Sequence, residues 1–281
     1  MVDLGVTKNE VSSEIDNLIS GVEQDLYRNK DNLSPMISIT YFFVISLAYL
    51  FLQIFVIVRS ESLIEIDKVK THKLYLISYC LLILLGSFFI NYNISKSLCP
   101  DSPINIYTLI LHTLLPWLLI FGSIYGLLLI FDTWHRPFSN TLGYFVIKIL
   151  QVERYFSKLL EPARDAISTK TEENEQLLQA ILNIETNKNI FINELDEDPI
   201  LYKQFMQQLK DAKIIKLLSE NDGENNENEI YKLIVIKNSV GRFVWFFLAG
   251  IVISTITYNN MINSSCNISK ESILKQYDNM V

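Results

Sequence analysis

Four long apolar runs divide the chain, and each predicts a helix that crosses a membrane. The runs cover residues 36–58, 74–92, 106–131 and 240–258. A helix needs about 20 mostly apolar residues to cross roughly 30 Å of hydrocarbon, and each run is close to that length or longer. One such run could be a buried helix in the core of a soluble protein. A soluble core does not explain four such runs in a chain of 281 residues. We therefore expect an all-α membrane protein with four transmembrane helices.

Residues 132–239, between the third and fourth runs, form a large polar insert with a helical pattern of its own. Apolar residues recur every three or four positions over 141–160, 172–185 and 198–219, which is the spacing of amphipathic helices. Basic residues border the apolar face of the first of these helices, a pattern typical of a helix in the headgroup layer. The acidic, Asn-rich run 220–229 predicts a flexible loop. We expect a mostly helical insert whose first helix holds it against the membrane.

The two ends of the chain are polar tails, residues 1–35 and 259–281. Within the first tail, residues 10–27 have one narrow apolar face with helical spacing. That face suits packing on a membrane surface or a partner, and it suits packing on the protein's own loops equally well. Pro35 separates this amphipathic segment from the first span, because the residue before a proline disfavours the helical conformation.

The composition supports a membrane protein. Apolar residues make up 49% of the chain and charged residues only 20%, with a mean hydropathy of +0.23, which does not fit a soluble protein of this length. The net charge of −7 argues against a nucleic-acid partner, because phosphate contacts require a basic face. We expect the lipid membrane to be a partner and nucleic acid not to be one.

The sequence also lacks the patterns of common catalytic sites. Three Cys and three His are few for a metal centre. The sequence contains no P-loop, dinucleotide or HExxH motif, and no nucleophile can be matched with a His and a carboxylate. We expect no enzymatic activity, no catalytic residue, no bound cofactor and no metal.

The basic residues predict which way the spans point. With four spans, both termini and the loop 93–105 share one side, while the loop 59–73 and the insert lie on the other. Near the span ends, nine Lys and Arg lie on the insert's side and five on the side of the termini. Basic residues favour the cytoplasmic side, so we expect a cytoplasmic insert and lumenal termini. The N-x-[ST] patterns agree, since all of them fall on the lumenal side; they begin at Asn32, Asn93, Asn263 and Asn267.

Two cysteines are candidates for a disulfide. Cys99 lies in the loop after the second span and Cys266 follows the fourth, so both lie on the expected lumenal side. An oxidising compartment would allow them to pair, and two free thiols are the alternative. Cys80 lies within the second span and is expected to stay reduced.

The third span and the residues after it contain further candidates. Gly122 and Gly126 form a small-xxx-small motif, which lets another helix approach closely within the chain or between copies of it. His112 is an ionisable residue inside this span, and the other three spans contain no Asp or Glu, so we expect a structural role for it. Trp134 and Arg136 come just after the span and are expected to anchor it at the membrane interface and the cytoplasmic headgroups.

Two stretches of the sequence resemble a known class of viral proteins. They are the run from Trp134 to Tyr144 and the run from Val240 to Gly250, which continues to Cys266. Together they are similar to membrane proteins of large icosahedral nucleocytoplasmic DNA viruses, which assemble a capsid over an inner lipid membrane. The resemblance covers roughly the last three spans and the insert. It implies a minor capsid or anchoring protein of the virion inner membrane, with capsid proteins as partners.

The resemblance and the predicted orientation agree. A viral inner membrane derived from the endoplasmic reticulum keeps its cytoplasmic face towards the capsid, so the insert would face capsid proteins. The competing hypothesis is a transporter or channel in a cellular or viral membrane. The sequence lacks paired intramembrane charges, broken helices in matching halves and a filter-like motif, and this favours an anchoring or scaffolding role.

Overall fold

The structure of the protein is a computed structural model. It describes residues 36–60, 65–66, 73–98, 104–166, 172–215 and 220–264. Within those ranges every regular element is a helix, so the protein is all-α. The predicted helix 10–27, the C-terminal tail beyond 264, and both Cys99 and Cys266 lie outside the described residues.

The four predicted spans all correspond to helices. They are α1 (Met36–Arg59), α2 (Lys73–Leu98), α3 (Ile106–Ile130) and α9 (Glu220–Ser264). In the described part of the chain, these four are long and apolar enough to cross a membrane. The protein is therefore an all-α membrane protein, as the apolar runs predicted.

Helix α3 changes its geometry near its middle. Asn105 caps its start, where the Asn105 side chain accepts a hydrogen bond from the backbone N–H of Thr108 at 3.2 Å. Pro116 has no N–H to continue the helical ladder, and the next residues, Trp117–Phe121, form a π-helical turn. Regular α-helix resumes at Gly122.

The fourth helix is much longer than its apolar run. Helix α9 begins at Glu220, so the prediction of a flexible loop over 220–229 is wrong. Contacts with a neighbouring helix hold this part of α9: Lys210 pairs with Glu227 at 2.6 Å, and the Tyr202 hydroxyl donates to the Glu227 carbonyl at 2.7 Å.

The insert begins with a series of short turns. A 3₁₀ turn (Asp132–His135), a single helical turn (Arg136–Phe138) and a π turn (Ser139–Gly143) lead into α4 (Tyr144–Ile149). The chain then breaks at Leu150 and Gln151, and α5 (Val152–Ala166) follows. The expectation of one helix over 141–160 is therefore wrong.

The break has a local cause in the backbone. Gln151 has a φ of 63°, in the left-handed region that a helix cannot continue through. The hydrogen bond from its N–H to the Lys148 carbonyl, 3.0 Å long, closes the last turn of α4. The chain thereby changes direction between α4 and α5, and their apolar faces need not point the same way.

Three helices complete the insert: α6 (Glu172–Thr186), α7 (Lys188–Glu194) and α8 (Pro199–Asp211). The predicted helix 172–185 is confirmed. The predicted helix 198–219 ends earlier, at Asp211, and residues 216–219 lie outside the described ranges. Its start was predicted well: Asp198 caps α8 by accepting hydrogen bonds from the N–H groups of Ile200 and Leu201, at 2.8 and 3.0 Å.

The insert has a hydrophobic core of its own. Side chains from α5, α6, α7, α8 and the first part of α9 bury one another, together with Ile57 of α1. Phe156, Leu159 and Leu160 of α5 are almost fully buried there. This corrects the expectation that the whole of 141–160 lies on the bilayer: α5 packs into protein, while Phe145 and Ile149 of α4 stay exposed.

The chain divides into two compact units. The tail unit comprises Met1–Phe42, Leu82–Phe121 and Gly250–Val281, and the insert unit comprises Phe43–Leu81 and Gly122–Ala249. Each of the four spanning helices contributes residues to both units. The insert and its core belong entirely to the insert unit.

Two glycines allow close helix packing in the tail unit. A Cβ atom at Gly86 would overlap the ring of Tyr41, whose hydroxyl donates to the Leu82 carbonyl at 2.6 Å. A Cβ atom at Gly250 would overlap the ring of Phe42. Helix α1 thus packs closely against α2 and α9.

The glycines singled out from the sequence behave differently. A Cβ atom at Gly122 or Gly126 would meet no described atom within 4 Å. The expected close contact within the chain is therefore not found among the described residues. Contact between copies of the chain, in a homo-oligomer, stays a prediction.

Candidate functional site

The two stretches that carry the viral resemblance pack against each other in the insert unit. Gly143 lies so close to α9 that a Cβ atom there would overlap the carbonyl oxygen of Lys237. A Cβ atom at Gly241 would lie 2.8 Å from the Ser139 nitrogen and 2.9 Å from the His135 carbonyl oxygen. Both contacts are with backbone, so glycine is required at these two positions for the close approach.

Aromatic side chains extend this contact. The rings of Trp134 and Trp245 stack with centroids 5.6 Å apart, and the indole N–H of Trp245 donates to the Trp134 carbonyl at 2.9 Å. Phe138 meets Trp245 edge-on at 5.1 Å. Trp134 remains 40% exposed, and its role as an anchor at the membrane interface stays a prediction.

A buried cation lies beside this contact. Lys237 is 1% exposed, and its ammonium group is 3.1 Å from the Asn140 side-chain oxygen. It is also 3.3 Å from the carbonyl oxygens of Ile192 and Asn193 and 3.5 Å from the Asn193 side-chain oxygen. These carbonyls belong to the last residues of α7, where the helix dipole favours a positive charge. These acceptors offset part of the cost of burying the charge.

An ion pair joins the start of α8 to α9. Arg242 donates to both carboxylate oxygens of Glu197, at 2.6 and 3.1 Å, and both side chains are mostly buried. The Tyr231 hydroxyl donates to the Glu197 carbonyl at 2.8 Å. Nearby, the Ser139 hydroxyl donates to the side-chain oxygen of Asn238. We call two sets of contacts together the polar clamp: those among Ser139, Asn140, Asn193, Lys237 and Asn238, and the ion pair of Arg242 with Glu197.

The clamp borders a partly open cleft of about 120 Å³. The lining residues are His135, Arg136, Asn140, Asn193, Leu195, Asp196, Glu197, Asp198, Lys237 and Asn238. Burial lowers the pKa of His135 below its ordinary value of 6.5. Three cations (Arg242, Arg136 and Lys237) lower the pKa of His135 further, while Glu197 raises it. The cleft therefore favours a neutral imidazole.

The chemistry of these groups is that of a structural joint. Arg242 and Glu197 pair with each other, and Lys237 is surrounded by neutral oxygen acceptors. The carboxylates of Asp196, Glu197 and Asp198 accept hydrogen bonds from neighbouring backbone or side chains. In the described ranges, no three His, Cys, Asp or Glu side chains are grouped so as to hold a metal ion. The clamp fixes the segment 193–198 and the 3₁₀ and π turns to one helix, α9.

Some of the residues that the sequence singled out lie at the start of the insert. Arg136 lines the cleft, and Trp134 packs on Trp245, so both lie at the joint between α3 and the insert. Cys80 is a free thiol. The pairing of Cys99 with Cys266 falls on residues outside the described ranges and stays a prediction.

The sequence reasoning missed the clamp itself. Lys237 and Arg242 are two of the nine basic residues near the span ends that predicted the orientation, and no other role was expected for them. One signal was available: Lys237 follows the apolar run Leu233–Ile236, and a lysine next to such a run in a helix is a candidate for burial with acceptors around it. Its acceptors Asn140 and Asn193 lie far away in the sequence, so the sequence alone did not identify them.

No protein-family model, curated protein or solved structure matches the chain. The resemblance to virion membrane proteins therefore remains a hypothesis drawn from the two motif stretches.

Proposed function

We propose that the protein anchors or scaffolds a viral capsid on the virion inner membrane, with the insert as the surface that the capsid binds. The observation that carries this proposal is a set of exposed apolar side chains on a folded insert. Ile190 of α7 is 56% exposed, and Ile200 and Leu201 at the start of α8 are 65% and 51% exposed. Ile200 and Leu201 are neighbours in the first turn of α8, and large apolar side chains that stay exposed on a folded surface are typical of protein-binding sites.

The internal packing of the insert supports this reading. The other face of α8 presents Tyr202, Met206 and Leu209 to the insert's core, so Ile200 and Leu201 are not needed to complete that core. The clamp holds the residues just before α8 firmly against α9. A rigidly held helix with an apolar first turn loses little conformational entropy when a partner binds it.

The predicted orientation supports it as well. The basic residues place the insert on the cytoplasmic side, and in a membrane derived from the endoplasmic reticulum that side faces the capsid. The insert joins its spans through stacked tryptophans and an ion pair rather than through a single linker. Such a joint would transmit a load from the capsid to the membrane helices.

Recruitment of capsid proteins to vesicles tests the proposal. The full chain is reconstituted in lipid vesicles and mixed with capsid proteins released from purified virus particles, and the vesicles are then floated. We expect capsid protein to float with the vesicles. The double substitution Ile200→Glu and Leu201→Glu should abolish this, because it puts two charges on the proposed apolar contact.

A matched control lies on the same helix. Gln204→Glu and Gln208→Glu add the same charge at exposed polar positions of α8 and should leave recruitment unchanged. Equal recruitment by the apolar-site variant and the control would contradict the proposed surface. Absence of the protein from purified particles would contradict the anchoring function as a whole.

A further inference from the structure

Several polar side chains are buried among the spanning helices of the tail unit. Four of them are Ser38 of α1, Asn91 of α2, and Thr113 and Trp117 of α3, each at most 7% exposed. The Asn91 side chain donates to the Thr113 hydroxyl oxygen at 2.9 Å. We call these four residues the span polar cluster. It is separate from the polar clamp of the insert unit.

Helix geometry places the four residues close together. Helices α1 and α3 cross the membrane in the same direction, since successive spans alternate. The rings of Phe42 and Trp117 are in contact, with centroids 5.6 Å apart. Ser38 precedes Phe42 by four residues and Thr113 precedes Trp117 by four, so each lies one turn away on the same face of its helix. Ser38 and Thr113 therefore each lie one turn before the ring contact of Phe42 with Trp117, and Asn91 is joined to Thr113 by its hydrogen bond.

Three polar atoms of the cluster have no hydrogen-bond partner among the described residues. They are the hydroxyl oxygen of Ser38, the side-chain oxygen of Asn91 and the indole nitrogen of Trp117. An unpaired polar atom is especially costly inside a membrane, where lipid offers no alternative partner. Their chemistry is complementary: the indole N–H only donates, the amide oxygen only accepts, and the hydroxyl does both.

The helix geometry around Trp117 is also unusual. Trp117 is the first residue of the π-helical turn that follows Pro116. Single π turns in α-helices often occur at functional sites. The unpaired indole N–H is thus found where α3 departs from regular geometry.

We propose that the span polar cluster holds ordered water within the membrane bundle. A water molecule can accept a hydrogen bond from the Trp117 indole and donate one to the Asn91 side-chain oxygen, and Ser38 can bond to the same or a second water. Buried waters typically make about three hydrogen bonds to otherwise unpaired polar groups. Water fits better than a cation, because the four side chains include no carboxylate. This site does not depend on the proposed capsid anchoring.

Nuclear magnetic resonance of the full chain in detergent micelles tests this site directly. With ¹⁵N-labelled tryptophan, the three tryptophans each give an indole N–H signal, and Trp117→Phe identifies the one from Trp117. We expect that signal to show a nuclear Overhauser effect to water protons. The same cross-peak measured in the rotating frame should have the opposite sign, because proton exchange with the solvent would give the same sign in both experiments. A missing water contact in the unsubstituted protein would overturn the proposal, and this measurement requires only the native fold.

Variants show whether the cluster holds the water. Asn91→Leu and, independently, Ser38→Ala should reduce or abolish the water contact of the Trp117 indole. Thr255→Val is a matched control, since Thr255 is exposed on α9 and its hydroxyl donates to the Ile251 carbonyl of its own helix. It should leave the contact unchanged. A water contact that persists in both cluster variants would show that these residues do not bind the water and would overturn the assignment.

Discussion

At the scale of single residues, the ammonium group of Lys237 is removed from solvent and surrounded by acceptors. Its four oxygen neighbours come from Asn140, Ile192 and Asn193, so one side chain connects the π turn, the end of α7 and α9. His135 lies in the same cleft, and the cations around it disfavour a further positive charge. The clamp should therefore be sensitive to protonation of this one imidazole.

The stability of the insert should fall as the pH drops below about 6.5. Because the folded state lowers the pKa of His135 from its ordinary 6.5, the unfolded chain binds this proton first. The contribution of His135 to stability is complete above pH 6.5. It is lost between pH 6.5 and the lower folded pKa, at no more than about 1.4 kcal/mol per pH unit for one proton.

Unfolding midpoints between pH 7.5 and 5.5, followed by tryptophan fluorescence in detergent, measure this effect. His135→Asn should weaken the dependence on pH, because the group that titrates differently in the two states is gone. The difference between the two curves of unfolding midpoint against pH gives the contribution of His135 apart from that of the other titrating residues. Parallel curves for the native protein and the variant would contradict the role given to His135.

At the scale of elements, the apolar runs predicted the four spanning helices well because crossing a membrane requires length and apolarity, and both are local properties. The ends of the helices were predicted less well. Helix α9 already includes residues 220–229, where Lys210 and Tyr202 contact Glu227, and these partners lie elsewhere in the sequence. The break at Gln151 depends on a backbone angle that no sequence motif signals.

Helix packing shows the same limit. The motif of Gly122 and Gly126 has the spacing of a packing site, yet the close approaches described in the structure are at Gly86, Gly143, Gly241 and Gly250. Spacing identifies a smooth helix face but not the element that lies opposite it. Which glycine is in contact depends on how the helices cross, and that is decided by the whole set of side chains between them.

A pair of alanine substitutions tests this account of the packing. Gly143→Ala should destabilise the insert unit by about 1–3 kcal/mol, because the new methyl group meets the backbone oxygen of Lys237, which cannot move aside easily. Gly126→Ala should leave the stability unchanged or raise it slightly, because the methyl group meets no described atom and alanine favours helix. Thermal unfolding of the two purified variants in the same detergent compares them. Equal loss of stability in both would show that the close approach at Gly143 is not required.

The predicted disulfide also belongs to this scale, since it would connect the loop after α2 to the chain beyond α9. A bond between Cys99 and Cys266 would close a loop of well over 100 residues and stabilise the fold by about 2–4 kcal/mol if unstrained. Mass spectrometry of the non-reduced protein after alkylation should find these two cysteines linked and Cys80 alkylated. Full alkylation of Cys99 and Cys266 without reduction would disprove the pairing.

At the scale of the whole molecule, the protein combines four spanning helices with one folded insert. The fold class and the position of the insert between α3 and α9 followed from the sequence pattern. The core of the insert did not, because its buried residues come from segments as distant as Ile57 and Ile236. A surface that binds a capsid requires that this insert lie on one side of the membrane, opposite both tails.

Labelling of sealed microsomes with a membrane-impermeant maleimide tests that arrangement most directly. Gln204→Cys places a thiol on the exposed face of α8, and Ser12→Cys places one in the N-terminal tail, while the unsubstituted protein gives the background from its own cysteines. We predict that the thiol at position 204 is labelled in intact microsomes and that the thiol at position 12 is labelled only after the membrane is permeabilised. Labelling at position 12 in intact microsomes, with position 204 protected, would reverse the topology and contradict a capsid-facing insert.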